Sequence, residues 1–597
     1  MLVAGLALAV ALLGLRAAPS ASAAESLSVN LAATTGTATG VGEGFLYGVS
    51  QDGTQPTDQF LQPLGLTAIR AGGHATPLGG WIGDGYTYGS RTKADVAEVI
   101  AQAKRFTQGS YRGQYQVILA DLYGADGSQP SGTTFPCASG NCANWVSFLD
   151  SVVGAIQASG VTVTYDIWNE PDESIFWAPG MDTTQYFNMW DTGVTTIRQL
   201  AASALTVGPS LAADPAQNPT EWQTWLAHIK AAGTVPSEIS NHLEGDGDDP
   251  VAVAQSINSD LTSNGIPAVP LSANEFLPSD QQTAGQSAWY LARFAQSKYV
   301  NAMRGNWACC LTPDLGGVIV SNGSGGYSYT GQWWTFRTYA DLTGSLVSTS
   351  GEVGTTAISA AEDSSKRRAV AVIGDENGYT GAASVTFSGL SSVSWLANGG
   401  NVNVTVYRIP DQSPLNSPQV VTNEIVSTSA GSITVPLTFQ SSHDAFAVYL
   451  TPGFAAGFSS PLVNKGGGLC MDENDWTTVS LAQSQQWTCN GGTNQQYSFV
   501  PTSAGSSTYF IKPMTPDYCL DVNGASAASG AAIDQYPCNY NSNEQFTLRV
   551  VSGSVYQVVA VNSGLCIAPT GDSTAMGAAL VQVSCTTAST RTWTITT

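Results

Sequence analysis

Two glutamates in this 597-residue chain each end a short apolar run, follow an asparagine and precede a proline. The first closes Val161-Thr-Val-Thr-Tyr-Asp-Ile-Trp-Asn-Glu170 before Pro171; the second closes Val269-Pro-Leu-Ser-Ala-Asn-Glu275 shortly before Pro278. Val161, Val163, Tyr165 and Ile167 alternate as a strand does, which leaves Asn169 and Glu170 at its C-terminal edge. Parallel barrels of strands and helices place their chemistry at that edge. A carboxylic acid there, beside an amide suited to holding a sugar hydroxyl, can protonate a glycosidic oxygen. The alternative is structural, because Asn-Glu-Pro also starts helices well. Glycoside hydrolysis with retention needs a second carboxylate about 5–5.5 Å from the first. Glu275 supplies it, 105 residues on, a distance that holds three strand–helix units of about 30–35 residues. Glu244 is the rival, but it adjoins Asp246, Asp248 and Asp249 and reads as part of a solvated acidic loop.

The elements that would carry these residues can be placed coarsely. Phe45–Ser50, Leu66–Arg70 and Tyr115–Asp121 read as the first three barrel strands, and Leu205–Gly208 as the fifth. Ile239–His242 reads as the sixth and Gly305–Cys309 as the eighth. His242 then falls at a strand end, within reach of a nucleophile or a sugar hydroxyl, or serves as a buried structural partner. Cys309 and Cys310 are adjacent; once Cys137 and Cys142 close a small loop, they have only each other to pair with. An adjacent-residue disulfide at the barrel mouth would offer a flat sulfur surface to a sugar, with Trp307 as a stacking ring.

The run Trp168-Asn-Glu-Pro-Asp172, the segment Gln185-Tyr-Phe-Asn-Met-Trp190 and Val207-Gly-Pro-Ser210 resemble glycoside hydrolase family 39 over about residues 42–345. The resemblance implies a retaining (β/α)8 TIM barrel with Glu170 as acid/base on strand four and Glu275 as nucleophile on strand seven. It also implies that Arg70 faces the nucleophile and helps to keep it ionised. Family 39 carries an accessory β-sandwich, often joined by a strand from the start of the chain, here residues 26–39. Residues 345–452 alternate in short stretches, such as Arg368–Ile373 and Asn403–Tyr407, as a sandwich requires. No metal or cofactor is needed by such an enzyme.

A third region announces itself through cysteine spacing. Cys470 and Cys489, Cys519 and Cys538, and Cys566 and Cys585 are each 19 residues apart. Three such units imply a threefold domain with one disulfide per unit. Gly468-Leu-Cys-Met-Asp472, Tyr518-Cys-Leu-Asp521 and Gly564-Leu-Cys-Ile-Ala568 align, and the region resembles a ricin B-type β-trefoil, the family 13 carbohydrate-binding module. An Asp and an Asn hold sugar hydroxyls and a ring covers the apolar sugar face. Asp472, Trp487 and Asn494 would do this in repeat one, and Asp521, Tyr536 and Asn543 in repeat two. Repeat three has Ala568 and Val583 at the matching positions and is expected to be structural only.

Composition agrees with an exported, multidomain protein. Only 11% of residues are charged and the net charge is −23, which excludes nucleic acid and acidic glycans as ligands. Residues 1–24 read as a signal peptide, too short in its apolar run to span a bilayer. The expected order is a barrel over 25–344, a sandwich over 345–452, a linker over 453–460 and a trefoil over 461–597. The expected function is a secreted, monomeric exo-glycosidase removing arabinofuranose-linked units from neutral plant arabinogalactan or arabinoxylan. The alternatives are a β-xylosidase and a lectin with an inactive barrel.

Overall fold

The computed structural model describes residues 24–596 apart from 75–78, 109–110, 127–128, 246, 308–309, 311, 352–354, 398–399, 454–456, 503–505 and 514. The expected signal peptide therefore falls almost wholly outside the described residues, as do Cys309 and part of the expected linker. The chain is multidomain: a closed parallel barrel, a nine-stranded sheet and a C-terminal β-trefoil.

Strand β1 (Glu25–Thr37) belongs to the sheet, and the barrel begins after it. Its eight strands are β2 (Gly44–Leu46), β3 (Ala68–Ala71), β4 (Gln114–Ile118), β5 (Thr164–Asp166), β6 (Leu205–Leu211), β7 (Glu238–Leu243), β8 (Leu271–Phe276) and β9 (Tyr299–Arg304). All neighbours pair in parallel, and β2 closes on β9 through Gly44 and Phe45. Most of these strands are buried on both faces, so they lack strict alternation. That explains one correction. The eighth strand is Tyr299–Arg304 rather than Gly305–Cys309, because the apolar Trp307 lies in the loop beyond the strand.

Helices wrap the barrel, and several of their N-termini are set by side-chain caps. Thr183, Asn218 and Thr283 each accept a backbone N–H from the first turn of the following helix. The helix Ala284–Gln296 then packs against the sheet at close range. A Cβ on Gly374 in the sheet would lie 2.2 Å from the carbonyl oxygen of Gly285, so only glycine permits this approach.

The nine strands of the sheet form one hydrogen-bonded path instead of two separate sheets. β1 sits inside it, antiparallel to Ser345–Ser350 and parallel to Gly381–Ser388. Alternate residues from along the path, among them Val29, Ile358, Ile373, Val385, Val404 and Val448, meet in one buried cluster. The sheet thus curls round its own core, as a sandwich does. The other face, with Val370, Val372 and Tyr449, joins the barrel's core.

In the trefoil, the three disulfides pair Cys470–Cys489, Cys519–Cys538 and Cys566–Cys585, each with 5.0 Å between Cα atoms. Cys137–Cys142 closes the small barrel loop. Cys310 is disulfide-bonded as well. A buried ionic junction ties the three units together. Arg337 at the end of the last barrel helix and Arg368 of the sheet both bind Asp341, at 2.7 and 3.2 Å. Arg368 also binds Asp517 of the trefoil, and Arg337 lies over the Tyr518 ring at 5.4 Å. No helix among the described residues is long and apolar enough to cross a membrane.

Candidate active site and glycan-facing pockets

At the C-terminal edge of the barrel, four side chains converge. One carboxylate oxygen each from Glu170, Glu244 and Glu275 and a ring nitrogen of His242 lie within 4.8 Å of one another. Each comes from a separate strand end, except that His242, on β7, and Glu244, just past it, share one.

Glu170 stands four residues beyond β5. Trp168 anchors the segment from a nest of rings, at 5.0 Å from Trp177 and 5.9 Å from Tyr123. Glu170 itself has φ of +40°, a left-handed conformation that costs about 1–3 kcal/mol for a residue with a Cβ. Its N–H donates to the Ser210 carbonyl at 3.0 Å, which holds the turn in place. The helix-cap alternative is not realised, since the next helix starts at Thr184 under Thr183.

Arg70, fully buried on β3, organises the floor. Its guanidinium donates to Asp166 at 2.8 Å, to Glu275 at 2.5 Å and to Asn169 at 2.6 Å. Asp166 also accepts from Ser210 at 2.8 Å and Asn274 at 3.1 Å. His242 is fully buried, with Nδ1 2.9 Å from Glu170 and Nε2 3.8 Å from Glu275. Burial lowers its pKa to about 4, so the imidazole is neutral.

The two main carboxyls are therefore treated differently. Burial pushes Glu170 up to about 7, against the pull of Arg70. Glu275 is instead in direct contact with the guanidinium of Arg70. One proton-bearing acid and one cation-paired carboxylate, set across a gap of this size, fit a double-displacement pair. The donor types also suit a divalent cation, but Arg70 opposes a second positive charge beside Glu275.

Sequence reasoning gathered Arg70, Asn169, Glu170, His242 and Glu275 at one place, and the structure brings them together. It corrects the reading of Glu244, whose side chain is turned into the cluster and is only 21% exposed. Its position two residues past His242, at the end of a barrel strand, was the signal; the adjoining Asp246, Asp248 and Asp249 masked it. Also missed was a second wall, where Tyr47 donates to Asp121 and His74 lies 3.7 Å from Asp121 and Asp126. Burial and neighbouring carboxylates push Asp121 far up. Trp307 sits just beyond β9, 39% exposed, its indole N–H held by the Leu277 carbonyl at 3.0 Å. Cys310 is buried beside it in sequence, while Cys309 lies outside the described residues.

In trefoil repeat one, Asp472 accepts from Gln485 at 2.9 Å, Asn494 at 2.7 Å and Gln495 at 2.9 Å. In repeat two, Asn543 donates to Asp521. Asp534 stands where repeat one has Gln485, and burial together with this charge raises Asp521 to about 7. Trp487 and Tyr536 are 41% and 36% exposed. In repeat three, Ala568 is buried and Arg591 turns to Asp572 at 2.6 Å.

Residues 458–593 match the family described as Ricin-type beta-trefoil lectin domain. The barrel and sheet have the fold of N2152 from Neocallimastix frontalis, at 22% identity and a TM-score of 0.59, covering 72% of this chain and 100% of that one. A glucosidase from Croceicoccus marinus shares the fold at 13% identity and a TM-score of 0.52, covering 72% of this chain and 99% of that one. No curated protein sequence matches the chain.

Proposed function

We propose that this chain is a retaining glycosidase held to its substrate by a lectin-type module. The observation that carries this is the pairing of a buried Glu170 with an arginine-bound Glu275 within 4.8 Å between facing oxygens. Glu170 protonates the leaving oxygen while Glu275 attacks the anomeric carbon. Glu170, now a carboxylate, then takes a proton from the water that releases the sugar. Asn169 and His242 hold the ring's hydroxyls and the acid, Arg70 holds Glu275 in place, and Trp307 with Cys310 lines the rim.

The pocket's carboxyl groups outnumber its cations, and Arg70 is fully engaged, which supports neutral sugars over uronic acids. Arabinofuranose-linked units on plant arabinogalactan or arabinoxylan are the proposed substrate. The repeated disulfides and the lectin-type fold support an extracellular site of action. Asp472, Trp487 and Asn494, and Asp521, Tyr536 and Asn543, form the two glycan pockets, within modules that span about the expected boundaries.

The test is product release from gum-type arabinogalactan and from arabinoxylan, followed by chromatography, with Glu170→Gln and Glu275→Gln alongside. Product from one polymer, lost in both variants, supports the reading. Release of xylose from xylo-oligosaccharides alone would reassign the enzyme as a β-xylosidase. Binding of polymer with no product would leave a lectin with an inert barrel.

A further inference from the structure

The double-displacement reading uses two carboxyls, yet the site contains a third. Glu244 follows His242 and Leu243 at the end of β7, and one oxygen of its carboxyl lies within 4.8 Å of one from Glu275, close enough for the pair to close onto a hydrogen bond. Two carboxyl groups can share such a bond only if a proton lies between them. Its Oε1 is buried, 3.5 Å from His242 Nδ1, and has no hydrogen-bond partner. The same His242 nitrogen is already committed to Glu170 at 2.9 Å.

The groups around Glu244 leave little choice about its charge. It faces Glu275 from β8, Glu170 from beyond β5, His242 from β7 and Arg70 from β3. The imidazole is neutral, and the one guanidinium is divided among Asp166, Glu275 and Asn169. An ionised carboxylate here would have no cation of its own, and burial together with Glu275 and Glu170 pushes Glu244 far up.

We propose that Glu244 is a positioning residue which keeps a proton and donates it to Glu275. The hydrogen bond fixes which oxygen of Glu275 faces the anomeric carbon. When Glu275 becomes an ester, the same O–H remains available to the ester's carbonyl oxygen. The proposal rests on the reading of Glu275 as nucleophile, but the shared proton can be tested apart from it.

The experiment has two arms on the full chain. Difference infrared spectra at neutral pH compare the protein with Glu244→Gln. A protonated-carboxyl C=O band present in the protein and lost in the variant is expected; no change in that band overturns the proposal. Kinetics on an aryl glycoside compare Glu244→Gln, which keeps an N–H donor, with Glu244→Leu, which does not. A loss in kcat of about tenfold for the first and about 10³-fold for the second is expected, as for a removed transition-state donor. Equal losses would overturn the positioning role. If the unaltered protein cleaves no glycoside, the hydrolase reading fails, and the infrared band alone decides whether the proton is shared.

Discussion

The barrel mouth and the first trefoil pocket both keep a buried carboxylate beside an asparagine, yet they neutralise it by opposite means. In the trefoil, Asp472 is held by the side-chain amides of Gln485, Asn494 and Gln495. Neutral donors at fixed angles leave the carboxylate a permanent acceptor, which suits binding. In the barrel, Glu275 is held by a guanidinium and Glu170 by its own proton. Those surroundings give two like groups unlike partners, which suits chemistry. The partner of the carboxylate, more than the carboxylate, distinguishes a grip from a reaction.

The comparison breaks most sharply at Glu275. Glu275→Gln should lose about 10⁴-fold in kcat on any cleaved glycoside, as removal of a nucleophile does, while binding through the trefoil persists in affinity electrophoresis. Removing the cation instead tests the floor. Arg70→Met strands Asp166 and Glu275 without their partner and should cost about 3–5 kcal/mol in urea unfolding. No matching loss is expected for Gln485→Ala, because the Asp472 carboxylate keeps two donors.

Acidity gives a third test. Glu170 must carry its proton to act as acid, so kcat/KM should fall as pH rises through about 7. Trp487→Ala should weaken glycan binding about tenfold, roughly 1.4 kcal/mol, by isothermal titration. The smallest effect sharpens the contrast within the trefoil. Repeat two has Asp534 and Glu544 where repeat one has Gln485 and Gln495, and Asp521 titrates near 7. Its carboxylate is the better acceptor once ionised, so binding at repeat two should strengthen as pH rises through about 7. Titrating the Trp487→Ala protein isolates that pocket.

Much of this was legible in the sequence because the signals were local. The strand before Asn169-Glu170 and the 19-residue cysteine spacing each lie within a short window, and the trefoil's repetition supplied its own alignment. What stayed hidden depended on side-chain direction. Glu244 looked solvated because Asp246, Asp248 and Asp249 surround it in the chain. Asp248 is in fact buried and accepts the Gly245 N–H, and Asp249 caps the next helix. The Tyr47–Asp121–His74 wall joins ends of different strands, which no spacing rule connects. The eighth strand was misplaced because Tyr299–Arg304, buried except at Val300, carries no alternation to set its limits.

The junction of Arg337, Asp341, Arg368 and Asp517 has a consequence for the polymer. Because these charges are sealed between three units, the lectin pockets cannot wander on a leash around the barrel. They stand at a set bearing from the barrel mouth, so under the proposed function a chain gripped at one end must present its branch points at a matching interval. Two polysaccharides built from identical sugars would then be told apart by the stride of their decoration.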